Sequence, residues 1–427
     1  MIPQLKPTRT RYQASGFLFA LAAVTYLDRV CISTLAPQIS RDLHLSKLEM
    51  SFVFSAFAIA YAAFEIVSAW WGEQIGARRV LARIVIWWSA FTMATAAAWS
   101  YSSLLVIRFL FGAGEAGAWP NAALAFSHWI PLRERGRVQG FFFAAAHVSG
   151  GITPLLVTWL LAFLPWRGIF LLCGFVGITW SVFWYRWFRD EPREHPGVNH
   201  AEALLIESER RLGKDAHHGK ALWLALASSP NVWCLCLAYL SNSYGAYFVM
   251  TWLPTYLAEN RGFEKQSLSL FAGLPLLLSV FGDISGGAVT DWAARSFGLR
   301  LGRVAVSVAG YSVAAAAMFA AVYAATPVMA ASLIAVAVAA SMFTLSPSWA
   351  ACMDIGGENI AVLSAAMNTT GQLGSILSPV ITGWIVYRFA DWQTPLLIMG
   401  SLYLLSALLW TQVDPRKRLS APPQRAA

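Results

Sequence analysis

Apolar stretches of about twenty residues recur along the whole of this chain, separated by short polar intervals. An α-helix of that length matches the thickness of the hydrocarbon core of a bilayer. Hydrophobic residues make up 57% of the 427 residues and charged residues only 12%, so few charges are left to cover a soluble surface. The sequence therefore predicts an all-α membrane protein that crosses the bilayer many times.

Windows of apolar residues predict twelve transmembrane helices, six on each side of one polar interval. The first six are 15–37, 51–71, 80–99, 102–127, 138–164 and 168–188. The last six are 232–257, 267–292, 304–324, 328–350, 360–389 and 392–410. The polar interval contains a stretch with helical spacing at 201–211. We predict three regions: an N-terminal six-helix bundle (1–188), a cytoplasmic linker (189–230) and a C-terminal six-helix bundle (231–427).

The distribution of basic residues predicts the orientation of the chain. Lys and Arg concentrate in alternate short loops and in the linker, which places those loops and both termini in the cytoplasm. The net charge of +9 is spread over these loops and forms no single basic face, so we assign no nucleic-acid partner. Tryptophans at predicted helix ends are typical of the membrane interface. They are Trp70, Trp71, Trp87, Trp88, Trp129 and Trp410.

The five cysteines predict neither a disulfide framework nor a metal centre. All five lie in apolar segments, their number is odd, and their spacing fits no known ligand set. We interpret them as small buried residues and expect no metal and no cofactor. The basic segment 1–12 runs into the first apolar stretch without a cleavage site, which predicts an uncleaved first helix.

Two charged residues lie inside the fourth apolar stretch, Arg108 and Glu115. A charge at membrane depth costs several kcal/mol unless it is paired or lines a polar cavity, so both are functional candidates. They are seven residues apart and therefore lie on one helix face, about 10 Å apart along the axis. A purely structural ion pair stays an alternative.

The glycines of this segment, Gly112, Gly114 and Gly117, satisfy a dinucleotide-binding spacing. That fingerprint needs a preceding strand and a distal ribose-binding carboxylate, and the sequence predicts neither. In an apolar helix, small residues at these spacings instead allow neighbouring backbones to approach closely.

Two loops look like copies of one another, which predicts a duplicated architecture. The segment 71–79, which contains Glu73 and Arg78, follows the second predicted helix, and the segment 286–295, which contains Asp291 and Arg295, follows the eighth. Two six-helix halves related by an axis along the membrane normal are the repeat of the major facilitator fold.

The chain resembles the anion:cation symporter branch of the major facilitator superfamily over nearly its full length. The resemblance depends on five motifs in a fixed order. They are Tyr26-Leu-Asp28-Arg29; Arg108 to Pro120 followed by Trp129-Ile-Pro131-Leu-Arg-Glu134-Arg135-Gly136; Trp166-Arg167-Gly-Ile-Phe170; Thr251-Trp252-Leu253-Pro254-Thr255-Tyr256-Leu257; and Asn368-Thr-Thr-Gly371-Gln-Leu-Gly374 with Pro379. The branch includes bacterial symporters for sugar acids and for phthalate-type acids, and its animal relatives include sialin and the vesicular glutamate transporters.

This resemblance implies roles for particular residues. Arg29 corresponds to the arginine that binds the substrate carboxylate, and Asp28 and Glu115 to the protonatable carboxylates. Arg108 corresponds to the arginine that pairs with the counterpart of Glu115. The remaining substrate-contact positions are Tyr61, Ser346, Trp349 and Asn368. Physically, a guanidinium can hold a carboxylate through two parallel hydrogen bonds.

Other interpretations of these residues stay open. Asp28 is also suited to a structural ion pair, Tyr61 to helix packing, and Asn368 to an interhelical hydrogen bond. His147 stands where sugar-acid relatives often carry an amide, so it is either a substrate contact or a packed histidine. The roles of Glu65 and Asp283 are not assigned by sequence; a cation site at Asp283 is one hypothesis.

The combined interpretation is a monomeric, proton-coupled symporter of the bacterial inner membrane that imports an organic carboxylate by alternating access through a central cavity. A sugar acid such as galactonate, glucarate or a hexuronate is the leading substrate. The alternatives are a carrier of aromatic or small dicarboxylic acids or of phosphate, with other or no coupling, and a transporter-like anion receptor. The sequence shows no nucleophile placed with a base, so it does not predict an enzyme.

Overall fold

The computed structural model describes residues 6–208, 226–356 and 360–418. The helices of the first part are α1 (Thr10–Asp42), α2 (Lys47–Ile75), α3 (Ala77–Thr95), α4 (Tyr101–Glu115), α5 (Ala118–Trp129), α6 (Leu132–Leu160), α7 (Trp166–Trp187) and α8 (His200–Ser208), with a 3₁₀ turn at Pro192–Glu194. Those of the later parts are α9 (Pro230–Thr251), α10 (Leu253–Glu259), α11 (Lys265–Phe297), α12 (Leu299–Val322), α13 (Pro327–Phe343), α14 (Leu345–Gly356), α15 (Ile360–Phe389) and α16 (Gln393–Gln412).

Several helix starts are set by local capping. The Ser46 side chain accepts a hydrogen bond from the backbone N–H of Glu49, and the Glu49 carboxylate accepts one from the backbone N–H of Ser46, which closes a capping box before α2. Ser100 and Ser103 form a similar reciprocal pair before α4. These side chains replace the intrahelical hydrogen bonds that the first N–H groups of a helix lack.

Three of the predicted transmembrane helices are each broken into two. The breaks fall at Ala116–Gly117, at Trp252 and at Thr344. Each is followed within four residues by a proline in the next helix: Pro120, Pro254 and Pro347. Proline has no N–H to donate to the carbonyl four residues earlier and its ring clashes with that carbonyl, which ends the preceding helix. Other prolines, such as Pro154 and Pro379, lie inside continuous helices.

The chain divides into two compact units, Met1–Leu212 and Gly213–Ala427. In the first unit α1 packs against α6, α2 against α4, and α3 against α7. In the second, α9 packs against α15, α11 against α13, and α12 against α16. When each broken helix counts as one transmembrane segment, the pairing is first with fifth, second with fourth and third with sixth in both units. This common pairing agrees with the predicted duplication.

Within the described residues, eight helical segments are long and apolar enough to cross a membrane. They include α1, α7, α11, α12 and α16. The helix that carries Arg108 and Glu115 is not among them, because the break after Glu115 leaves α4 with 15 residues. The predicted helical stretch 201–211 is present as α8, and its residues 209–211 lie outside the described residues.

The predicted tryptophan belt is only partly present. Trp70, Trp71 and Trp87 are about half exposed, but Trp88, Trp129 and Trp410 are buried. The indole N–H of Trp129 donates to the carbonyl of Arg189 at 2.8 Å, so a tryptophan near a helix end serves here to join two segments. An indole combines a large apolar area with one donor and therefore suits both positions.

A buried network ties the start of α1 to α8. The carboxylate of Glu202 is fully buried and accepts hydrogen bonds from the Thr8 hydroxyl, from the backbone N–H groups of Thr10 and Arg11, and from the Arg11 guanidinium at 2.8 Å. Arg11 also pairs with Glu134 of α6 at 3.0 Å. One arginine thus balances two carboxylates from distant parts of the chain.

Replacing Arg11 by alanine should therefore destabilise the protein through Glu202. Removing one partner of a buried ion pair leaves an uncompensated charge, and we expect the free energy of unfolding to fall by about 3 kcal/mol, because Glu202 keeps its hydroxyl and backbone donors. Thermal or chemical unfolding of the detergent-purified protein measures this loss. Arg9→Ala is the control, since Arg9 is exposed. Equal losses in the two variants would contradict a stabilising role for the network.

Candidate functional site

Close approach of α2 and α4 is the local feature that builds the candidate site. A Cβ atom on Gly112 of α4 would lie 2.5 Å from the backbone carbonyl oxygen of Phe57 of α2, far inside van der Waals contact. Only glycine permits this backbone separation. The predicted role of the segment's glycines is confirmed at Gly112, and the contact brings the polar face of α4 next to α2.

Arg29 of α1 and Glu115 of α4 form an ion pair in this region, with the guanidinium Nε donating to the Glu115 carboxylate. The Glu115 side chain is fully buried and that of Arg29 is 10% exposed. The Arg29 guanidinium also lies 5.0 Å from the ring centre of Phe57 and 5.1 Å from that of Tyr61. Cations within about 6 Å of an aromatic ring are attracted by its quadrupole. Arg29 is therefore held by a carboxylate and by rings.

The second arginine, Arg108, is also buried and belongs to the same cluster of charges. Its guanidinium lies 4.3 Å from the ring centre of Phe111 and 5.3 Å from that of Phe57. It acts electrostatically on both Glu115 and Asp28. The Phe57 ring thus lies within reach of both guanidinium groups.

Asp28 points in another direction from its neighbour Arg29, as expected for adjacent residues on a helix. Its carboxylate is 1% exposed, and among the described residues neither oxygen accepts a hydrogen bond within normal length. The indole of Trp88 and the hydroxyl of Thr92, both on α3, are close to it. Asp28 is thus a carboxylate in an apolar setting, with Glu115 and Arg108 as the charges that act on it.

His147 joins this cluster through Tyr26. The His147 ring lies 5.6 Å from the ring of Tyr26 in an edge-to-face arrangement, and Tyr26 lies 5.7 Å from the Arg29 guanidinium. His147 is buried on α6, and Trp119 packs on the same tyrosine at 6.3 Å. Its position is compatible with both interpretations given above, a packed histidine and a group near the bound substrate.

The candidates of the second unit are neutral or aromatic. The Ser346 hydroxyl donates to the backbone carbonyl of Asp283 at 3.2 Å, which joins α14 to α11. Trp349 packs edge-to-face on Tyr239 at 6.0 Å. Asn368 lies on α15, three residues before Gly371, where a Cβ atom would come within 2.8 Å of the Tyr239 ring. Tyr239 thus connects the helices that carry Trp349 and Asn368.

The structure brings five sequence-predicted residues of the first unit together: Asp28, Arg29, Tyr61, Arg108 and Glu115. Sequence reasoning missed several aromatic residues that surround the candidates within each unit. These are Tyr26, Phe57, Trp88 and Tyr239. A sequence in which 14% of residues are aromatic gives no signal that marks these four. Glu65 lies one turn beyond Tyr61 on α2 and is partly exposed.

Two arginines and two carboxylates in this cluster have formal charges that sum to zero when all are ionised. A buried charge is tolerated when an opposite charge or a hydrogen bond compensates it. An additional anion in the cluster needs an additional positive charge, and a proton on one carboxylate supplies it. The arrangement can therefore bind an anion together with a proton.

A double-mutant cycle should detect the Arg29–Glu115 pair in the stability of the protein. We expect Arg29→Met and Glu115→Gln each to destabilise, and the double variant to lose less than the sum, with a coupling of at least ~1 kcal/mol. Chemical unfolding of the detergent-purified protein gives the four free energies.

The control cycle uses Arg167→Met and Asp42→Asn, because that ion pair is 41% and 47% exposed. Exposed pairs couple by less than ~1 kcal/mol. If the coupling energy between Arg29 and Glu115 is no larger than that of the control pair, the two side chains do not form a buried ion pair in the purified protein.

Comparison with known proteins gives concordant matches. The family model described as the Major Facilitator Superfamily matches residues 18–379. A protein named "Probable sulfoacetate transporter" from Cupriavidus necator is 32% identical over 98% of this chain and 97% of its own length. A hexuronate transporter from Bacillus subtilis is 29% identical over 92% of both chains. Among solved structures, a bacterial homolog of the human lysosomal transporter Spinster, in an inward-facing, occupied conformation, superposes with a TM-score of 0.73 at 18% identity, covering 96% of this chain and 99% of that chain.

Proposed function

Since this chain belongs to the Major Facilitator Superfamily, we propose that it imports an organic carboxylate together with protons. Family membership and the transporter relatives make it a multi-pass membrane transporter of the sugar-acid and organic-anion group and not an enzyme. The coupling ion, the residues that bind it and the substrate are inferred below from the geometry of the cluster.

The observation that carries the proposal is the neutral cluster of four buried charges around Arg29 and Glu115. A monocarboxylate that enters alone brings one uncompensated negative charge into a region of low dielectric, which is costly. One proton on a carboxylate of the cluster returns the total formal charge of cluster and bound anion to zero. Anion and proton therefore favour each other's binding, which is the thermodynamic basis of symport.

The geometry supports Glu115 as the first proton acceptor. Its carboxylate holds the Arg29 guanidinium, so protonation of Glu115 weakens that ion pair and makes Arg29 available to the substrate carboxylate. The resemblance gave the role of partner of Glu115 to Arg108, whereas the ion pair described here is with Arg29. The same proton thus prepares the arginine that binds the substrate.

Asp28 is suited to a second proton. Its carboxylate is buried beside Trp88 and Thr92, and it is close enough to Glu115 for the two charges to repel each other. A dicarboxylate or a carboxylate-sulfonate brings two negative charges, so neutrality then needs two protons. We expect the number of protons moved to follow the charge of the substrate.

For the substrate, we propose a sugar acid first and a small sulfonated carboxylate second. Hexuronate and galactarate/glucarate transporters are among the relatives. The second candidate is supported by the 32% identity with the protein named "Probable sulfoacetate transporter". The family resemblance also places His147 where sugar-acid relatives often carry an amide. An imidazole N–H can donate a hydrogen bond to a sulfonate oxygen. Aromatic acids and phosphate stay outside this proposal.

We also propose a bacterial inner membrane location with both termini in the cytoplasm, and a monomer as the working unit. The orientation is supported by the basic residues of alternate loops. Alternating access of a single substrate site is the corresponding transport mechanism.

In proteoliposomes, an inward proton gradient should drive accumulation of the labelled substrate by the wild type. With Glu115→Gln we expect accumulation to be lost, while exchange of internal for external substrate at equal pH continues, because the neutral amide mimics the protonated carboxyl group. The panel contains galactonate, glucarate, a hexuronate, sulfoacetate and benzoate. Asp42→Asn is the matched control, since Asp42 is an exposed carboxylate outside the cluster.

Gradient-independent uptake by the wild type, with Glu115→Gln behaving identically, would remove proton coupling from the proposal. Accumulation of benzoate but of none of the sugar acids or sulfoacetate would overturn the proposed substrate classes.

Arg29→Lys should raise KM for the transported anion by at least about tenfold, because an ammonium group cannot form the two parallel hydrogen bonds of a guanidinium. Initial rates of uptake over a range of substrate concentrations measure this change. Arg167→Lys makes the same replacement at an exposed arginine and should leave KM unchanged. An unchanged KM in Arg29→Lys would show that Arg29 does not hold the substrate carboxylate.

A further inference from the structure

A cleft of about 520 Å³ lies between α3 and α7, away from the charge cluster described above. Its lining includes three arginines: Arg79 and Arg83 from the first turns of α3, and Arg186 from the last turn of α7. Ile86 and Val182 line it on the apolar side. We call this feature the arginine cleft.

The three arginines are exposed residues, and no acidic side chain in the described parts of the chain forms an ion pair with any of them. The nearby carboxylate of Asp190 accepts a hydrogen bond from the backbone N–H of Arg78 at 2.9 Å and is engaged at the start of α3. Three positive charges converge on one concave surface, which attracts an anion with several oxygen atoms.

The walls of the arginine cleft are fixed by hydrogen bonds between α3 and α7, some of them made by residues that also line it, such as Ser181 and Tyr185. Arg78 donates through Nε and Nη2 to the carbonyl of Tyr185, at 2.9 and 2.7 Å, and its guanidinium lies 4.6 Å from the Tyr185 ring centre. The Trp184 indole donates to the carbonyl of Arg78, and Ser181 donates to the carbonyl of Ala82 at 2.9 Å. These hydrogen bonds hold α3 and α7 together, so the cleft exists before a ligand binds.

The cleft is charged near the helix ends and apolar further along the helices, as is expected of a site at a membrane surface. Arg83 lies about 6 Å along α3 from Arg79, and Ile86 about 10 Å. Ile86 is 48% exposed, Val182 40% and the neighbouring Phe183 59%. Such apolar side chains face lipid in a transmembrane helix, and α7 is one of the segments able to span a membrane. Cations at the helix ends and apolar groups one or two turns inward match a headgroup and its acyl chains.

We propose that the arginine cleft binds the phosphodiester headgroup of an anionic phospholipid, with an acyl chain lying along the exposed apolar side chains of α3 and α7. Basic pockets between transmembrane helices are suited to such headgroups. A soluble phosphate would use the arginines but leave Ile86 and Val182 without a contact. A zwitterionic lipid would bring a quaternary ammonium group towards three guanidinium groups, which repel it.

Native mass spectrometry of the purified full-length protein tests this proposal. The protein is mixed with equal amounts of phosphatidylglycerol and phosphatidylcholine that carry the same acyl chains. We expect retained phosphatidylglycerol adducts in the wild type and few phosphatidylcholine adducts. In the variant with Arg79→Gln, Arg83→Gln and Arg186→Gln, retention of phosphatidylglycerol should fall at least about tenfold, because cations near the surface contribute additively to the binding of anionic lipids.

A charge-matched control separates the cleft from net charge. The variant with Arg295→Gln, Arg300→Gln and Lys417→Gln removes three exposed positive charges of the second unit and should retain the lipid. If the arginine-cleft variant does not elute as a single species, Arg83→Gln and Arg186→Gln are measured separately, with a reduction of about fivefold expected for each.

Three results would overturn the proposal. Equal loss of phosphatidylglycerol in the two triple variants would assign binding to net charge alone. Equal retention of the two lipids by the wild type would exclude recognition of the anionic headgroup. Displacement of phosphatidylglycerol by an equal concentration of glycerol 3-phosphate would assign the cleft to a soluble phosphate and exclude a lipid ligand.

Discussion

The ion pair between Arg29 and Glu115 is the constraint on which the rest of the proposed function depends. Both side chains are withdrawn from water, so each is tolerated only while the other, or an equivalent charge, is present. Gly112 lets α4 approach the backbone of Phe57 closely enough for this cluster to form. The same contact that compensates two buried charges also makes the state sensitive to one additional proton or anion. On the proposed function, the ion pair that the fold needs and the coupling of anion to proton thus have one physical origin.

The sequence predicts where the charges lie along the chain but not which of them meet. Arg108 and Glu115 share a helix face, yet about 10 Å separates their levels on the axis, which is long for a direct contact. Arg29 is 86 positions from Glu115 and reaches it only because α1 and α4 belong to one bundle. Helical periodicity fixes the face on which a residue lies, whereas partners on other helices depend on packing that a single sequence does not contain.

The same limit explains where the observed fold differs from the fold predicted from the sequence. Apolar windows locate the membrane segments well, because burial in lipid imposes one composition on all of them. They do not register the missing N–H of a proline, and so the breaks before Pro120, Pro254 and Pro347 were not predicted. They also do not distinguish a tryptophan at the interface, such as Trp87, from a buried one, such as Trp88, since the two are neighbours in sequence.

The two units share one helix pairing but differ in the chemistry of their candidate residues. The four charges of the cluster lie in the first unit, whereas the candidates described in the second are a hydroxyl, an amide and an indole. Ionic interactions decide how many charges and protons a site accepts, but they discriminate weakly between anions of equal charge. Hydrogen bonds and aromatic contacts discriminate between substrates by shape, because a buried polar group without a hydrogen-bond partner is costly. On the proposed function, proton coupling is therefore a property of the first unit, and the uncharged candidates of the second are of the kind that discriminates between carboxylates.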